Sequence, residues 1–346
     1  MQTPSPWWTP ATHADRRPLL LARNRILAAT LSHFAAEDFV LVDPPGLQVS
    51  PGNEAHLHAF ATEMVGEDGS AATRYLHTSP EFSMKKLLAA GETKIVSIGH
   101  VWRNRERTAT HHPEFTMAEW YRAGAPYDAV IADCIDLVRL AARTTGATSL
   151  RFRGRSCDPF ADPERISVAD AFLRHAGIDL LATMSADGAT DAAALAAQMR
   201  TSGVAVPDDA GWSYLFTRIL TGLVEPELGI GRLTILDRYP ASEAALARRV
   251  PGDPRVAERF ELYAAGVELA NGFGELTDPA EQRRRFTLEM DEKQRLYGER
   301  YPIDDDFLAA LAIMPPSSGV ALGFDRLVML VTGAPRVEQV IWVPVG

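Results

Sequence analysis

Cysteine and long apolar runs are scarce in this sequence. Its 346 residues include two cysteines, Cys134 and Cys157, and no Cys-x-x-Cys pair. Such usage is typical of a reducing compartment and argues against a disulfide framework or a zinc knuckle. No apolar run reaches the roughly 18 residues that a membrane helix needs. The N-terminus also lacks a basic segment followed by an apolar one. We therefore expect a soluble, cytoplasmic protein with no membrane partner.

Several familiar nucleotide and hydrolase motifs are missing as well. The sequence contains no Gly-x-Gly-x-x-Gly and no Gly-x-x-x-x-Gly-Lys-Ser/Thr loop, which excludes the common phosphate-binding loops. It also contains no Gly-x-Ser-x-Gly elbow and no His-Glu-x-x-His helix. An excess of basic residues is absent, because the net charge is −10. That charge argues against a broad surface for nucleic acid, although a local basic patch remains compatible with it.

What is present is an ordinary globular composition, with 46% hydrophobic and 23% charged residues, long enough to bury a full core. Helical spacing predicts helices near residues 16–37, 80–90, 126–144, 187–202, 278–297 and 324–332. Strand-like runs lie near 38–44, 74–78, 94–106 and 114–124, and a hairpin is predicted over 259–276. For the second helix we expect Ser79 at the N-cap and Pro80 at the first position. Because strands and helices do not alternate regularly, the pattern favours an α+β fold with a mainly antiparallel sheet.

A polar loop between two predicted strands combines basic, acidic and aromatic side chains. The segment HVWRNRERTATHHPEF, residues 100–115, places Arg103 and Phe115 on either side of a loop that includes Arg105, Glu106 and His112. An arginine fork suits a phosphate, and an aromatic face suits an adenine ring. A solvated hairpin loop would contain similar charges, so the spacing alone leaves both interpretations open.

The segment FELYAAGVELANGFGEL, residues 260–276, carries two glutamates at an unusual spacing. A tight turn at 264–265 would place Glu261 opposite Glu268 across a hairpin. Opposed like charges are destabilising unless a cation lies between them, and carboxylate oxygens suit Mg²⁺. If the segment were helical, the two glutamates would form an ordinary surface stripe. Its three glycines make one long helix unfavourable, but the metal site and the stripe both remain open.

The segment GVALGFDRLVML, residues 319–330, leads from a strand or turn into an apolar helix. Gly323 permits close backbone approach, and Arg326 begins the helix. The alternative is an ordinary helix start with Asp325 near its N-terminus.

Taken in this order, the three segments resemble the motifs of the class II aminoacyl-tRNA synthetases, most closely the lysyl branch. RNRE…HHPEFTMAEWY is similar to motif 2, ERFELYAAGVELANGFGELTD to the metal and amino-acid segment, and GVALGFDRLVML to motif 3. RNRILAATLSHFAAEDFVLVDPP is a looser match to motif 1. The resemblance extends from about residue 16 to the C-terminus. It implies one class II synthetase-like catalytic domain over residues 1–346, with an insertion at about 178–215 where the match is weakest.

The position of motif 1 narrows this resemblance. Lysyl-tRNA synthetases carry an anticodon-binding β-barrel before the catalytic domain, whereas motif 1 here begins within the first twenty residues. We therefore expect no anticodon-binding domain. LHTSPEFSMKKLL and MPPSSGVALGFDRL look particularly similar to the elongation factor P lysine ligases. That family implies activation of (R)-β-lysine or lysine with ATP and Mg²⁺, transfer to a lysine of elongation factor P, and a homodimer built on motif 1. A tRNA partner is not expected.

The resemblance also implies roles for individual residues. Phe115 would stack on adenine, Arg326 would cover its other face, and Arg103 would bind the α-phosphate, so that Arg103 and Arg326 are the catalytic pair. Glu261 and Glu268 would hold Mg²⁺. Further ATP contacts are implied for Asn104, Arg105, Glu106, His112, Glu268, Leu269 and Gly323. The diamine substrate would be bound by Ser79, Pro80, Glu81, Glu119, Tyr121, Asn271 and Glu275.

One departure from the family and two competing functions accompany this interpretation. The usual Arg-Asn-Glu of motif 2 is replaced by Arg-Asn-Arg-Glu, residues 103–106. Either Glu106 takes the glutamate's role after a loop adjustment or backbone groups do, which leaves the roles of Arg105 and Glu106 open. A free-standing lysyl-type core acting on tRNA or a small molecule is one competing function. An inactive regulatory paralogue is the other, and it predicts loss of the phosphate and metal residues, all of which are present. Residue types do not distinguish lysine from β-lysine, which differ by one methylene shift.

Overall fold

The computed structural model describes residues 6–346. The α-helices of this part are α1 (Pro10–Ala36), α2 (Glu81–Ala89), α3 (Tyr127–Thr145), α4 (Val168–Ala176), α5 (Ala192–Thr201), α6 (Trp212–Ile219), α7 (Pro279–Tyr297), α8 (Asp305–Leu311) and α9 (Phe324–Thr332). Within these residues, no helix combines the length and the apolar character that crossing a membrane requires.

The strands divide into one large sheet and three small ones. In chain order they are β1 (Val40–Leu41), β2 (Leu47–Gln48), β3 (Phe60–Val65), β4 (Ala71–Leu76), β5 (Lys94–Trp102), β6 (Glu114–Ala123), β7 (Leu150–Phe152), β8 (Arg155–Asp158), β9 (Glu164–Ser167), β10 (Gly231–Arg232), β11 (Thr234–Asp237), β12 (Arg249–Val250), β13 (Asp253–Ala257), β14 (Arg259–Ala264), β15 (Val267–Gly274) and β16 (Ser317–Gly323).

The large sheet has the order β1-β5-β6-β16-β15-β14-β11-β9. Its central pairs, from β5 through β11, are antiparallel. The two outermost pairs, β1 with β5 and β11 with β9, are parallel. The sequence prediction of an α+β fold with a mainly antiparallel sheet is confirmed.

The two faces of this sheet have different roles. Successive side chains of a strand point to opposite faces. On one face, Ala118, Trp120, Val320, Leu322 and Phe260 are buried in a single core with apolar residues of α1, α3 and α9. The residues that alternate with them point to the opposite face, which is therefore free to carry polar chemistry.

Helix α1 is longer than predicted, and it buries Arg16 and partly buries Arg23. It begins at Pro10, which suits the first turn because proline there sacrifices no helical hydrogen bond. Arg16 is 6% exposed and donates to the carbonyl groups of Glu338 and Ile341. Arg23 forms an ion pair with Asp325 at 2.9 Å. Segments from the far end of the chain thus supply the acceptors on the inner side of α1.

The predicted hairpin over 259–276 is confirmed, but its turn lies one residue later than expected. Ala265 and Gly266 occupy the turn with positive φ values of 53° and 74°, the backbone that two-residue hairpin turns favour. A β-bulge then shifts the register, so that Tyr263 pairs with Glu268 and Glu261 pairs with Asn271. Glu261 and Glu268 are therefore diagonal neighbours and not directly opposed as predicted.

Two helices begin later in the chain than predicted. α2 begins at Glu81 with Pro80 at the N-cap, and the Ser79 hydroxyl accepts a hydrogen bond from the Glu81 amide at 3.1 Å. The helix predicted at 187–202 starts only at Ala192, because Asp191 caps it through a bond from the amide of Ala194. The region predicted as an insertion, 178–215, buries its side chains largely in a second core, which also includes Ile166, Leu236 and Tyr263 of the large sheet. The single-domain assignment remains a prediction.

Candidate active site

Strand register lines up polar side chains on the free face of the sheet. Glu119 of β6 pairs with Ala321 of β16, Ala321 pairs with Asn271 of β15, and Asn271 pairs with Glu261 of β14. Phe115 lies four residues before Glu119 on the same strand and thus on the same face. Segments that are far apart in sequence therefore meet on one surface, as the motif order predicts.

At one end of this surface, an arginine lies over an aromatic ring. The guanidinium carbon of Arg103 is 5.4 Å from the centre of the Phe115 ring. The Nε atom of Arg103 donates to the carbonyl oxygen of Thr78 at 3.2 Å. Its two terminal nitrogens have no hydrogen-bond partner among residues 6–346. The guanidinium is thus oriented by one backbone bond and keeps its fork available for an anion such as a phosphate.

Arg326 is held at the same end by three groups. Its Nη1 atom donates to the side chain and the carbonyl oxygen of Glu268 at 3.2 and 3.1 Å. Its Nη2 atom lies 2.6 Å from Nε2 of His111, and its Nε atom donates to the carbonyl oxygen of Thr110. Burial, and then the charges of Arg326 and Arg103, lower the pKa of His111 to about 4. His111 is therefore neutral and accepts the bond, a role that sequence reasoning missed.

His112 lies beneath the loop and not on its surface. The ring is 1% exposed, its Nδ1 atom is 2.5 Å from the carbonyl oxygen of Glu114, and its Nε2 atom accepts a bond from the amide of Val345. Both nitrogens thus serve the backbone. Leu269 is likewise buried, in the core on the other face of the sheet. The ATP contacts predicted for His112 and Leu269 stay predictions.

The unusual arginine of motif 2 points away from Arg103. Arg105 has a left-handed backbone with φ 67°, and the side chain of Asn104 accepts a bond from its amide at 2.9 Å. The guanidinium of Arg105 forms an ion pair with Glu299 and lies 5.9 Å from the ring of Tyr297. Glu106, the next residue, is partly buried. The backbone conformation at Arg105 thus separates this arginine from the phosphate end of the site.

A group of glutamates adjoins Arg326. The Oε2 atom of Glu261 accepts bonds from Tyr239 and Tyr263, each at 2.5 Å, while Oε1 accepts one from Arg259 at 2.6 Å. Tyr263 also donates to Glu225 at 3.3 Å. Sequence reasoning missed Glu225, which lies far from the motifs in the chain.

The charges of this group suit a divalent cation. Burial, and then the charges of Glu261 and Glu268, raise the pKa of Glu225 to about 7, which is the expected response of crowded carboxylates without a cation. No cluster of three or more metal-binding side chains occurs among residues 6–346. Mg²⁺ typically takes one or two carboxylates together with substrate phosphates, and Glu261 and Glu268 match that ion in ligand type and number.

At the other end of the surface, Glu119 lies in a hydrogen-bonded pocket. It is 1% exposed and accepts bonds from Ser79 and Tyr121, each at 2.7 Å. Burial, and then the charge of Glu81, raise the pKa of Glu119 to about 8. The acidic pocket predicted from the sequence therefore exists, and it brings Ser79, Glu81, Glu119, Tyr121 and Glu275 together.

A buried lysine completes this pocket. The Nζ atom of Lys85 lies 2.5 Å from Oε1 of Glu81 and 2.6 Å from Oε2 of Glu275, and its side chain is fully buried. Glu54 lines the same cavity with Ser79 and Glu81. Sequence reasoning missed both, although the spacing of Glu81 and Lys85 on a predicted helix is that of an ion pair.

The fold and the site define a class of protein. A family model for class II tRNA synthetases of the D, K and N type matches residues 9–345. The chain belongs to this family. This match confirms the predicted resemblance to class II synthetases, and it covers the three motif segments and the site that they form.

The names of individual relatives are more specific than the description of the family. The chain is 40% identical to an elongation factor P–(R)-β-lysine ligase of Proteus mirabilis over 94% of each chain. It is 36% identical to the ligase of that name from Vibrio cholerae over 97% of each chain. A third, from Klebsiella pneumoniae, is 40% identical over 94% of each chain. The predicted resemblance to elongation factor P lysine ligases is thus confirmed, across almost the full length of these relatives.

Proposed function

We propose that this protein is an ATP-dependent ligase that activates (R)-β-lysine as an adenylate and transfers it to a lysine side chain of elongation factor P. One observation carries the proposal: a phosphate-competent arginine over an aromatic ring and a buried acidic pocket share one face of the sheet. Phe115 and Glu119 are four residues apart on β6, roughly 13 Å at a strand's usual rise. One activated amino acid can thus contact both ends. The names of the relatives specify the substrates.

The phosphate end supports the first step. The substrate carboxylate attacks the α-phosphorus of ATP, the bond to the β-phosphate oxygen breaks, and pyrophosphate leaves. Arg103 stabilises the charge that grows on the α-phosphate, and its orientation before the reaction is what makes such a charge effective. Glu261 and Glu268 are suited to hold Mg²⁺, which would neutralise charge on the phosphates. No protein side chain needs to become covalently modified.

The acidic pocket supports selection of a diamine. Ammonium groups pair with buried carboxylates, and an unpaired buried carboxylate is costly. Glu81, Glu119 and Glu275 therefore favour a substrate with two ammonium groups over an apolar amino acid of similar length. In the second step, the amine of the acceptor lysine attacks the adenylate carbonyl, an amide bond forms, and AMP leaves.

The test combines purified protein, ATP, Mg²⁺, (R)-β-lysine and elongation factor P from the same organism. We expect intact-mass analysis to show one added β-lysyl group, and peptide mapping to place it on one lysine. Controls omit ATP or replace that acceptor lysine by arginine, and both should abolish the mass change. Efficient charging of lysine tRNA with no mass change on the factor would contradict the proposal and favour the synthetase alternative.

A variant in the acidic pocket links this activity to the site. Glu81→Gln keeps the shape of the side chain and removes its charge. We expect diamine-dependent ATP–pyrophosphate exchange to fall by about tenfold or more, since a hydrogen bond to a charged group contributes roughly 1.5–3 kcal/mol. Equal exchange with leucine and with lysine or β-lysine in the unmodified protein would contradict the assignment of the pocket.

A further inference from the structure

Lys85 joins the two carboxylates that lie on either side of the acidic pocket. Glu81 comes from the first turn of α2, and Glu275 follows β15. One ammonium group contacts both, at 2.5 and 2.6 Å. The side chain of Lys85 is 0% exposed and that of Glu81 is 13% exposed. Lys85 therefore lies behind Glu81 as part of the pocket floor, out of reach of substrate.

The lysine uses only one oxygen of each partner. Oε1 of Glu81 and Oε2 of Glu275 contact Lys85. Neither oxygen of Glu275 has a hydrogen-bond partner of good geometry among residues 6–346; Oε2 is in ion-pair contact with Lys85, whereas the other oxygen, Oε1, is buried without such a contact. It is directed toward the sheet face, because a Cβ atom added at Gly319 would lie 2.7 Å from it and 2.2 Å from the Tyr121 ring. A buried carboxylate oxygen without a donor is costly, so this one is suited to receive a donor from a ligand.

We propose that Lys85 is a positioning residue that sets the separation of the carboxylates gripping the two ammonium groups of the substrate, and thereby its chain length. This inference rests on the proposed function. A bound ammonium group favours the ionised form of Glu119, so the occupied pocket has negative charges on Glu81, Glu119 and Glu275. Lys85 neutralises one of these three charges, which leaves two for a diamine. It also ties α2 to the end of β15, so that neither carboxylate can move independently. Without the bridge, Glu81 and Glu275 would repel each other, and the pocket would lose its defined length.

The test compares diamines of different length in ATP–pyrophosphate exchange. We would assay (R)-β-lysine, lysine, ornithine and homolysine with the unmodified protein, Lys85→Met and Lys85→Ala. For Lys85→Met, we expect the KM for the preferred diamine to rise about tenfold or more, as for loss of a charged hydrogen-bond partner. The kcat/KM ratio between this diamine and its neighbours in length should fall by a similar factor. The KM for ATP should stay within about twofold, because Lys85 does not contact Arg103 or Phe115.

Lys85→Ala provides a matched comparison, because it removes the same charge and leaves space. Added ethylammonium should restore selectivity to Lys85→Ala and not to Lys85→Met, whose side chain fills that space. If either variant is unstable, Lys85→Met combined with Glu275→Gln avoids an unpaired buried carboxylate. This double variant should fold and still show reduced length selectivity.

Two outcomes would overturn different claims. Folded Lys85 variants that keep the length preference of the unmodified protein, or that lose only kcat, would refute the role of Lys85 and leave the proposed function intact. An unmodified protein that activates no diamine at all would refute the proposed function itself. Direct calorimetric binding of the diamines, without ATP, separates loss of selectivity from loss of turnover.

Discussion

Glu119 illustrates how burial of a single carboxyl group couples substrate binding to protons. Its pKa is raised to about 8, by burial first and then by the charge of Glu81. At pH 7 the free protein therefore holds a proton on Glu119. An ammonium group placed beside it favours the ionised form, so binding of a diamine should release that proton. Affinity should rise as the pH approaches 8, because less free energy is then spent on deprotonation.

Calorimetry in two buffers of different ionisation enthalpy tests this prediction. At pH 7, we expect the heat of diamine binding to differ between the buffers by an amount corresponding to release of up to one proton. Glu119→Gln provides the control, because glutamine has no proton to release. The difference should shrink to what Glu275 releases, since burial raises the pKa of that carboxyl to about 7. Equal heats in both buffers for the unmodified protein would contradict a protonated Glu119.

We expect substitution of two neighbouring arginines, Arg103 and Arg105, to affect catalysis very differently. Arg103 has an available fork near Phe115, whereas Arg105 is directed to Glu299 and Tyr297. Arg103→Ala should lower kcat for ATP–pyrophosphate exchange by about 10²–10³, as for loss of one preorganised donor to a developing charge. Arg105→Ala should change this kcat by about threefold at most, because Arg105 forms a largely exposed ion pair with Glu299, and such pairs contribute little. A larger effect for Arg105 than for Arg103 would reverse the assignment of phosphate contacts.

At the scale of elements, the sheet leaves no room for a side chain beside the pocket. Gly319 of β16 pairs with Tyr121 of β6, and a Cβ atom at Gly319 would lie 2.2 Å from the tyrosine ring. Gly319→Ala must therefore displace Tyr121 from Glu119, and we expect the KM for the diamine to rise about tenfold, the usual effect of losing a charged hydrogen bond.

Gly99→Ala is the matched control for Gly319→Ala. Gly99 also lies within a strand of the sheet, β5, and an added Cβ would meet no atom within 4 Å. This variant should keep the KM of the unmodified protein. Steady-state kinetics measure the KM for the diamine in both variants. An unchanged KM in a folded Gly319→Ala variant would show that Tyr121 tolerates displacement.

At the scale of the whole molecule, we propose a homodimer formed through the motif 1 region. The segment after α1 leaves Val40, Leu41, Leu47 and Val49 between 46% and 58% exposed. Clustered exposure of large apolar side chains is typical of an association surface, and a symmetric dimer is the commonest oligomer. Light scattering at micromolar concentration should therefore give the mass of two chains.

A charge in this region should weaken the dimer. Leu41→Glu places a carboxylate among the exposed apolar residues and should shift the mass toward one chain. Leu173→Glu is the control, because Leu173 is similarly exposed, at 59%, on α4. A fully active monomer of the unmodified protein would contradict the dimer.

Much of the architecture and the nucleotide end of the site is predictable from the amino-acid sequence. The order of motifs 2 and 3 around the glutamate hairpin, with strand periodicity in each, specifies an antiparallel sheet. Alternation along β6 then assigns Phe115, Glu119 and Tyr121 to one face without further information. Conformation at this level depends on neighbours within a few residues, so local sequence determines it.

Only the tertiary structure decided which side chains partner one another in the site. Lys85 meets Glu275, His111 supports Arg326 in place of His112, and Glu225 joins Glu261, in each case through residues distant in the chain. The hairpin register also depended on a bulge that strand periodicity does not reveal. Charges buried together at low dielectric constant select their partners by three-dimensional packing, and no local pattern in the sequence encodes that choice.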